Sequence, residues 1–162
     1  MMRVGVFSDS HGDTQALDEL LERMGHLDAV CFLGDVERDA EHLQQRLAAM
    51  PGQPALYAVR GNNDYYNTCA LPWEQIIELD GVRIYMTHGH RIVSEMGLVY
   101  KAQELGAKVA MFGHTHVAFC EVQQGVLLLN PGSAGNYCRG GRARASILEL
   151  NRGQMRVTNV AL

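Results

Sequence analysis

The first 64 residues alternate between short apolar runs and amphipathic segments, and this alternation restricts the fold more than any other feature of the sequence. Apolar runs at residues 4–7, 28–33 and 55–59 predict three buried strands, each stopped by polar residues. Between them, residues 17–24 and 43–50 carry apolar side chains at the spacing of one helix face. Strands that alternate with helices in this way are typical of a parallel sheet.

The second half of the chain is richer in strands. Three hairpins, one helix and one further strand are predicted there. The hairpins turn at Asp80-Gly81, at Gln123-Gln124 and at residues 151–153, the helix covers residues 93–105, and the strand covers residues 108–112. We therefore predict a mixed α/β fold over residues 1–162 as one domain, with two sheets stacked face to face and helices outside.

Composition excludes several classes of protein. The chain has 162 residues, of which 47% are hydrophobic and 20% charged, which is typical of a globular domain. A net charge of −4 argues against stable binding to nucleic acid or to anionic membranes. The sequence shows neither a signal peptide nor a membrane span, and its four cysteines (Cys31, Cys69, Cys120 and Cys138) are widely separated. We expect a cytoplasmic protein with reduced thiols.

Polar loops that contain candidate metal ligands follow five of the predicted strands. They are Asp9-x-His11, Gly34-Asp35, Gly61-Asn62-Asn63-Asp64, His88-Gly89-His90 and Gly113-His114-Thr115-His116. Each motif alone has an ordinary structural interpretation as a turn or a helix cap. Together they include five of the seven histidines, and ligands in α/β proteins bind beyond the carboxyl ends of the strands. The loops are therefore expected to converge on one site.

The residue types in these loops indicate which metal chemistry is expected. Aspartate, asparagine and histidine without thiolate suit Mn²⁺, Fe²⁺, Ni²⁺ or Zn²⁺, whereas a structural zinc site usually includes cysteine. The number of candidate ligands exceeds the need of one ion. Two ions that share a carboxylate would use them all, and paired ions are the usual device for in-line displacement at phosphorus.

The five motifs, in this order, resemble the signature of the calcineurin-like metallophosphoesterase superfamily. With SDSHG near the start, THGH and the later NPGS, the chain is most similar to the small YfcE-like phosphodiesterase family. This resemblance covers about residues 3–150. It implies a four-layer α/β-β/α sandwich of two mixed sheets flanked by helices.

The resemblance also implies a role for each ligand. Asp9, His11 and His116 would bind one metal ion, Asn62, His88 and His114 would bind a second, and Asp35 would bridge the two. The expected cofactors are two divalent ions per chain, with manganese foremost and Ni, Fe, Zn or Mg as alternatives. The implied reaction is hydrolysis of a small phosphodiester by a bridging hydroxide.

One position departs from the pattern of the wider superfamily, in which the third motif is usually G-N-H-D. Asn63 occupies the place of that histidine and cannot supply a proton as an imidazolium does. We expect Asn63 to donate an amide hydrogen bond to a phosphoryl oxygen. His90 is predicted either to act as a weak acid or to orient a neighbouring ligand. Ser133, in the NPGS segment, is predicted to serve a structural turn, with a position near the site as the alternative.

Three other functions are alternatives for a chain with these motifs. A retromer subunit of the superfamily is a non-catalytic scaffold, but all seven ligand positions are intact here, which favours an enzyme. A phosphomonoesterase or cyclic-nucleotide phosphodiesterase is disfavoured by Asn63. A nuclease is disfavoured because Arg139, Arg142 and Arg144 form only a local basic cluster. The expected partner is therefore a small phosphodiester, without nucleic acid or membrane, and a homo-oligomer is compatible with the sequence.

Overall fold

Two five-stranded sheets and three helices organise the protein in a computed structural model that describes residues 1–64, 70–92, 94–136 and 141–162. In chain order the elements are β1 (Met2–Phe7), α1 (Thr14–Met24), β2 (Ala29–Phe32), α2 (Glu37–Ala48), β3 (Ala55–Ala58), β4 (Glu74–Leu79), β5 (Val82–Thr87), α3 (Glu95–Glu104), β6 (Val109–Met111), β7 (Phe119–Gln123), β8 (Val126–Asn130), β9 (Arg144–Asn151) and β10 (Gln154–Ala161). Cys69, Cys138, Arg139 and Val93, the predicted first residue of the third helix, lie outside the described residues.

Both sheets are mixed, as predicted. The first has the order β10-β9-β1-β2-β3, and β1, β2 and β3 are parallel, which confirms the strand-helix alternation of the first 64 residues. The second has the order β4-β5-β6-β8-β7, with β5, β6 and β8 parallel. Antiparallel strands complete one edge of the first sheet, β9 and β10, and both edges of the second, β4 and β7.

Alternation of side chains along the strands creates the four layers. Val4 and Val6 of β1 point into a core shared with the second sheet, where they join Met86 and Leu129. Phe7 of the same strand packs on the opposite face, against residues of α1 and α2. On the far side of the second sheet, a third cluster packs against α3. The order is therefore helices, sheet, sheet, helix, and the predicted α/β-β/α sandwich is confirmed.

Two of the three predicted hairpin turns differ in position from those in the structure. The turn at Asp80-Gly81 lies where it was expected, with positive φ at both residues. The next turn is Gln124-Gly125 rather than Gln123-Gln124, because Gln123 pairs with Val126 inside the ladder. The last turn is Arg152-Gly153 alone. Two-residue turns of this kind need positive φ at both positions, which glycine accepts without steric cost at the second.

Local caps set the helix ends near the site. Asp13 accepts a hydrogen bond from the backbone N–H of Ala16 at 3.1 Å and begins α1. Ser94 caps α3 in the same way through the N–H of Gly97 at 3.2 Å, so this helix is shorter than predicted. Among the residues that the structure describes, no helix is long and apolar enough to cross a membrane.

Candidate metal centre

The five polar loops meet at one edge of the sandwich, as the sequence predicted. They follow β1, β2 and β3 of the first sheet and β5 and β6 of the second, and parallel strands present their carboxyl ends at the same edge. Several polar contacts join the sheets at this edge, and two of them involve backbone groups. His88 Nδ1 lies 2.7 Å from the carbonyl oxygen of Leu33, and the backbone N–H of His114 donates to Asp9 Oδ2 at 2.9 Å. The site therefore lies across the two sheets.

Asp9 is the most enclosed group of the site, with no exposed side-chain surface. Its Oδ2 atom accepts hydrogen bonds from the Ser8 hydroxyl at 2.6 Å and from the His114 backbone at 2.9 Å. Its Oδ1 atom is buried and has no hydrogen-bond donor among the described residues. This oxygen instead faces three imidazole nitrogens, at 3.2 Å from His116, 3.7 Å from His88 and 3.8 Å from His11.

The surroundings of Asp9 keep it ionised despite its burial. Burial alone would raise the pKa of Asp9, but the neighbouring His11 and His88 side chains outweigh it, so the pKa lies below its ordinary value. The nearby Asp9 carboxylate in turn raises the pKa of His11 against the opposing effect of burial. A negative charge is thus retained in the interior of the site at neutral pH.

The candidate histidines form two groups, His11 with His116 and His88 with His114. Asp35 lies between these groups. Its Oδ2 atom is 3.6 Å from Nε2 of His88 and 3.8 Å from Nε2 of His11. Asn63 holds the carboxylate with two donors, since its backbone N–H reaches Oδ1 at 2.9 Å and its side-chain amide reaches Oδ2 at 2.7 Å. Asp35 therefore lies within 4 Å of a histidine from each group, and its bridging role stays a prediction.

Asn62, His88 and His114 form the second group. Because the Leu33 carbonyl only accepts, Nδ1 of His88 donates to it, which directs Nε2 into the site. Nε2 lies 2.8 Å from Asn62 Oδ1, an atom that is also 3.1 Å from Nδ1 of His114. These three atoms are therefore close enough together to be ligands of one cation.

These features fit divalent cations. Asp9, His11 and His116 each offer one ligand atom within 4.8 Å of the others, and so do Asp9, Asp35 and His88. Nε2 of His11 and Nε2 of His116 are 3.2 Å apart. The combination of nitrogen and oxygen donors without thiolate suits borderline metals, and Asp9 Oδ1 is an anionic oxygen without another partner. The assignment of individual ligands to each ion stays a prediction.

Two glycines let the backbone approach the carboxylates. A Cβ atom at Gly61 would lie 2.0 Å from Asp35 Oδ1, and one at Gly113 would lie 2.0 Å from the Ser8 hydroxyl and 2.7 Å from Asp9 Oδ2. No side chain fits at either position without displacing these groups. Gly61 and Gly113 are therefore needed for the close approach of these loops.

Two further aspartates support the loops, and sequence reasoning did not assign them a role. Asp64 accepts hydrogen bonds from the N–H groups of Gly61 at 2.8 Å and Glu37 at 2.9 Å. Asp39 accepts from the Ser10 hydroxyl at 2.5 Å and from the N–H of Gly12 at 2.8 Å. Asp64 stands inside a recognised motif, but Asp39 lies on a helix and has no local signal.

The NPGS segment holds two of the ligand loops in place. Asn130 donates to the carbonyl oxygen of Gly113 at 3.1 Å and to the hydroxyl of Thr115 at 3.0 Å. Ser133 donates to the carbonyl oxygen of Asp9 at 2.7 Å. The structure therefore places Ser133 beside the site, where it supports the backbone of a candidate ligand.

Asn63 and His90 lie beside the candidate ligands. The Asn63 amide contacts Asp35, and its predicted contact with a phosphoryl oxygen stays a prediction. The His90 ring is 5.5 Å from that of His88 and 6.2 Å from that of His114, and its buried Nδ1 has no partner among the described residues. Burial, assisted by His88 and Arg91, lowers the pKa of His90, so the ring stays neutral to a lower pH than an ordinary histidine does.

Comparison with known proteins agrees with the geometry. The profile of the calcineurin-like phosphoesterase superfamily domain matches residues 2–153. The chain belongs to this superfamily. It is 34% identical over 136 residues to the probable metallophosphoesterase YsnB of Bacillus subtilis, which covers 82% of this chain and 75% of that protein. It is 27% identical over 167 residues to the phosphodiesterase YfcE of Escherichia coli, which covers 92% and 88% respectively.

A solved structure shows the same fold. The crystal structure of a predicted phosphoesterase from Streptococcus pneumoniae superimposes with a TM-score of 0.75 at 27% identity, over 98% of this chain and 88% of that one. The family and its named relatives identify the chain as a hydrolase that acts on phosphoesters. The predicted membership of this superfamily is confirmed.

Substitution of Gly61 by alanine should damage the site more than an equivalent change in a turn. The new Cβ would displace Asp35, so we expect a lower unfolding temperature and weaker binding of Mn²⁺ measured by calorimetry. Gly125→Ala is the control, because Gly125 lies in the β7–β8 turn and has open space around it. It should cost about 1–2 kcal/mol of backbone strain and leave Mn²⁺ binding unchanged. Equal Mn²⁺ affinity in both variants would contradict the packing argument.

Proposed function

We propose that the chain hydrolyses small phosphodiesters and uses two divalent metal ions held by seven side chains. Asp9, His11 and His116 would bind one ion, Asn62, His88 and His114 the other, and Asp35 both. The observation that most supports this proposal is the buried Oδ1 atom of Asp9, an ionised oxygen that has no donor and faces three imidazole nitrogens. The names of the relatives YfcE and YsnB support the same class of reaction.

When bound, two such ions would supply an activated water as nucleophile and positive charge for the phosphoryl oxygens. The protein's contribution is to prepare the ligands. The Leu33 carbonyl holds His88 in the tautomer that leaves Nε2 free to bind, and Ser8 and the His114 backbone hold Asp9 in one orientation. Burial of both carboxylates strengthens their attraction for cations.

Asn63 shapes the choice of substrate in this proposal. Its amide and backbone N–H hold Asp35, and neither is an acid that could protonate a leaving alkoxide. His90 lies near the second group of ligands, and its lowered pKa makes it a poor general acid at neutral pH. Diesters with leaving groups that need little protonation are therefore the favoured substrates.

The remaining predictions about cellular context belong to the same proposal. The net charge of −4 supports a small substrate over a polymer. Manganese as the cellular metal, a cytoplasmic location and a single domain over residues 1–162 stay predictions.

Paired aryl esters test the proposed reaction. Protein stripped with a chelator and reloaded with Mn²⁺, Ni²⁺, Mg²⁺ or Zn²⁺ is assayed on bis(p-nitrophenyl) phosphate and on p-nitrophenyl phosphate. We expect metal-dependent hydrolysis, with kcat/KM higher for the diester and highest with Mn²⁺. Preference for the monoester would contradict the role given to Asn63. Absence of hydrolysis with every metal would favour the non-catalytic alternative.

Replacement of Asp35 by asparagine tests the bridging role. The lost charge should weaken both ions together, with a fall in kcat/KM of at least ~100-fold, since even supporting residues of metal sites cost ~10–100-fold. Elemental analysis after loading with Mn²⁺ should approach two ions in the native chain and fewer in the variant. Asp80→Asn, which changes the same charge in an exposed hairpin turn, should change neither quantity. One ion per native chain, with full activity in Asp35→Asn, would rule out the binuclear centre.

Replacement of Asn63 by histidine tests whether this position faces the leaving group. A well-placed general acid contributes ~10²–10⁴-fold, and a grafted one should give less. We expect the rate with alkyl leaving groups to rise relative to the rate with nitrophenyl leaving groups. Asn63→Ala is the control, because it removes the amide from Asp35 without adding an acid. The same dependence on leaving-group pKa in native protein and Asn63→His would place position 63 away from the leaving group.

A further inference from the structure

We propose that an apolar cavity beside His114 receives one alcohol arm of the phosphodiester, so that the metal centre favours diesters with an uncharged alkyl or aryl group. This inference rests on the proposed function, because it names the class of substrate that the same centre would take. The cavity has a volume of about 760 Å³, within the range of small-molecule sites, about 300–1,000 Å³.

The walls of this cavity are mainly apolar. They come from the loop after β5, from α3 and from the segment that joins β6 to β7. The apolar side chains that line the cavity are Ile92, Met96, Leu98, Phe112, Val117 and Phe119. The rings of Phe112 and Phe119 lie 6.2 Å apart and are tilted by 58°. A substrate arm in the cavity would therefore exchange water for aliphatic and aromatic contacts.

Two residues of the wall, Gly113 and His114, also belong to the candidate metal centre. The backbone N–H of His114 donates to Asp9 Oδ2 at 2.9 Å, and Nδ1 of its ring lies 3.1 Å from Asn62 Oδ1. A Cβ atom on Gly113 would lie 2.7 Å from Asp9 Oδ2. Both the backbone and the ring of His114 thus contact candidate ligand atoms, so a phosphoryl group bound at the centre would have the cavity next to it.

The polar groups of the wall favour an uncharged arm over an anionic one. The Thr115 hydroxyl already accepts from the Asn130 amide at 3.0 Å and from the backbone N–H of Val117 at 3.2 Å. The Glu95 carboxylate accepts from Gln123 at 3.0 Å, and its negative charge opposes an anion in the cavity. Among the described residues, neither lysine nor arginine lines the cavity. The phosphate charge would therefore stay at the metal centre while the apolar arm enters the cavity.

Two dialkyl phosphates of equal charge test this division. Dimethyl phosphate and dibutyl phosphate are compared as competitive inhibitors of bis(p-nitrophenyl) phosphate hydrolysis by the Mn²⁺-loaded protein. Because each inhibitor is symmetrical, the result does not depend on which arm of a substrate enters the cavity. We expect Ki to be about 10-fold lower for dibutyl phosphate, since up to three further methylene groups of one arm would leave water.

A matched pair of variants locates the preference. Val117 lines the cavity with 56% of its surface exposed, and Val122 of β7 is 64% exposed but does not line the cavity. The ratio of the two Ki values should fall towards 1 in Val117→Asn and keep its native value in Val122→Asn. This ratio is the readout because a disturbance of the neighbouring His116 would change both Ki values alike.

Phe119→Ala removes more of the wall and should lower the same ratio further. Phe119 packs against the third hydrophobic cluster, so the unfolding temperature of the variant is measured first. The Ki of dimethyl phosphate, whose arms are too short to fill the cavity, should stay near its native value in the folded variant.

Direct binding can be measured without catalysis. Mn²⁺-loaded protein is titrated with each dialkyl phosphate by calorimetry at several temperatures. Dibutyl phosphate should bind about 10-fold more tightly, with a more negative heat-capacity change, which is the signature of apolar burial.

The outcomes separate this inference from the proposed function. Hydrolysis of bis(p-nitrophenyl) phosphate with equal inhibition by both dialkyl phosphates would overturn the role of the cavity and leave the phosphodiesterase intact. A preference for dibutyl phosphate that is unchanged in both Val117→Asn and Phe119→Ala would also overturn it. Absence of hydrolysis with every metal would overturn the proposed function, and calorimetry would then decide whether the cavity binds an apolar arm.

Discussion

An ionised carboxylate with one unpaired oxygen, buried at the meeting point of two sheets, is the constraint on which the rest of this structure depends. A charge removed from water must be compensated, and Asp9 has compensation on only one of its oxygens, from Ser8 and the His114 backbone. The other oxygen faces imidazole nitrogens. The polar loops therefore surround a buried negative charge that is only partly compensated, and a bound cation would complete the compensation.

The polar contacts around Asp9 also fix the position of one sheet relative to the other. The apolar core between them is non-directional and would tolerate more than one relative position. The polar contacts at the site edge are directional, since Leu33 of the first sheet must meet His88 of the second, and Asp9 must meet the backbone of His114. Gly61 and Gly113 allow these contacts because any side chain would collide with the carboxylates or with Ser8. Packing stabilises the sandwich, and the site specifies its alignment.

Much of the fold and of the candidate site could be predicted from the sequence, because hydrophobic periodicity and strand-end loops are local signals. The three parallel strands and the convergence of the five motifs follow from them. The predicted position of the β7–β8 turn was wrong by one residue, because the register of a hairpin depends on cross-strand pairing as well as on composition. The roles of Asp39 and Asn130 have no local signal, since their partners are distant in sequence.

The departure at Asn63 follows from its contact with the central carboxylate. An amide at position 63 donates to Asp35, and an imidazole there would have to give up that contact to reach a leaving group. A chain that orients its central carboxylate in this way lacks an acid at that position. Negative charge that develops on the leaving oxygen would then have to be stabilised by bound cations rather than by a proton. The carboxylates and imidazoles that converge at this edge are the groups that could hold such cations.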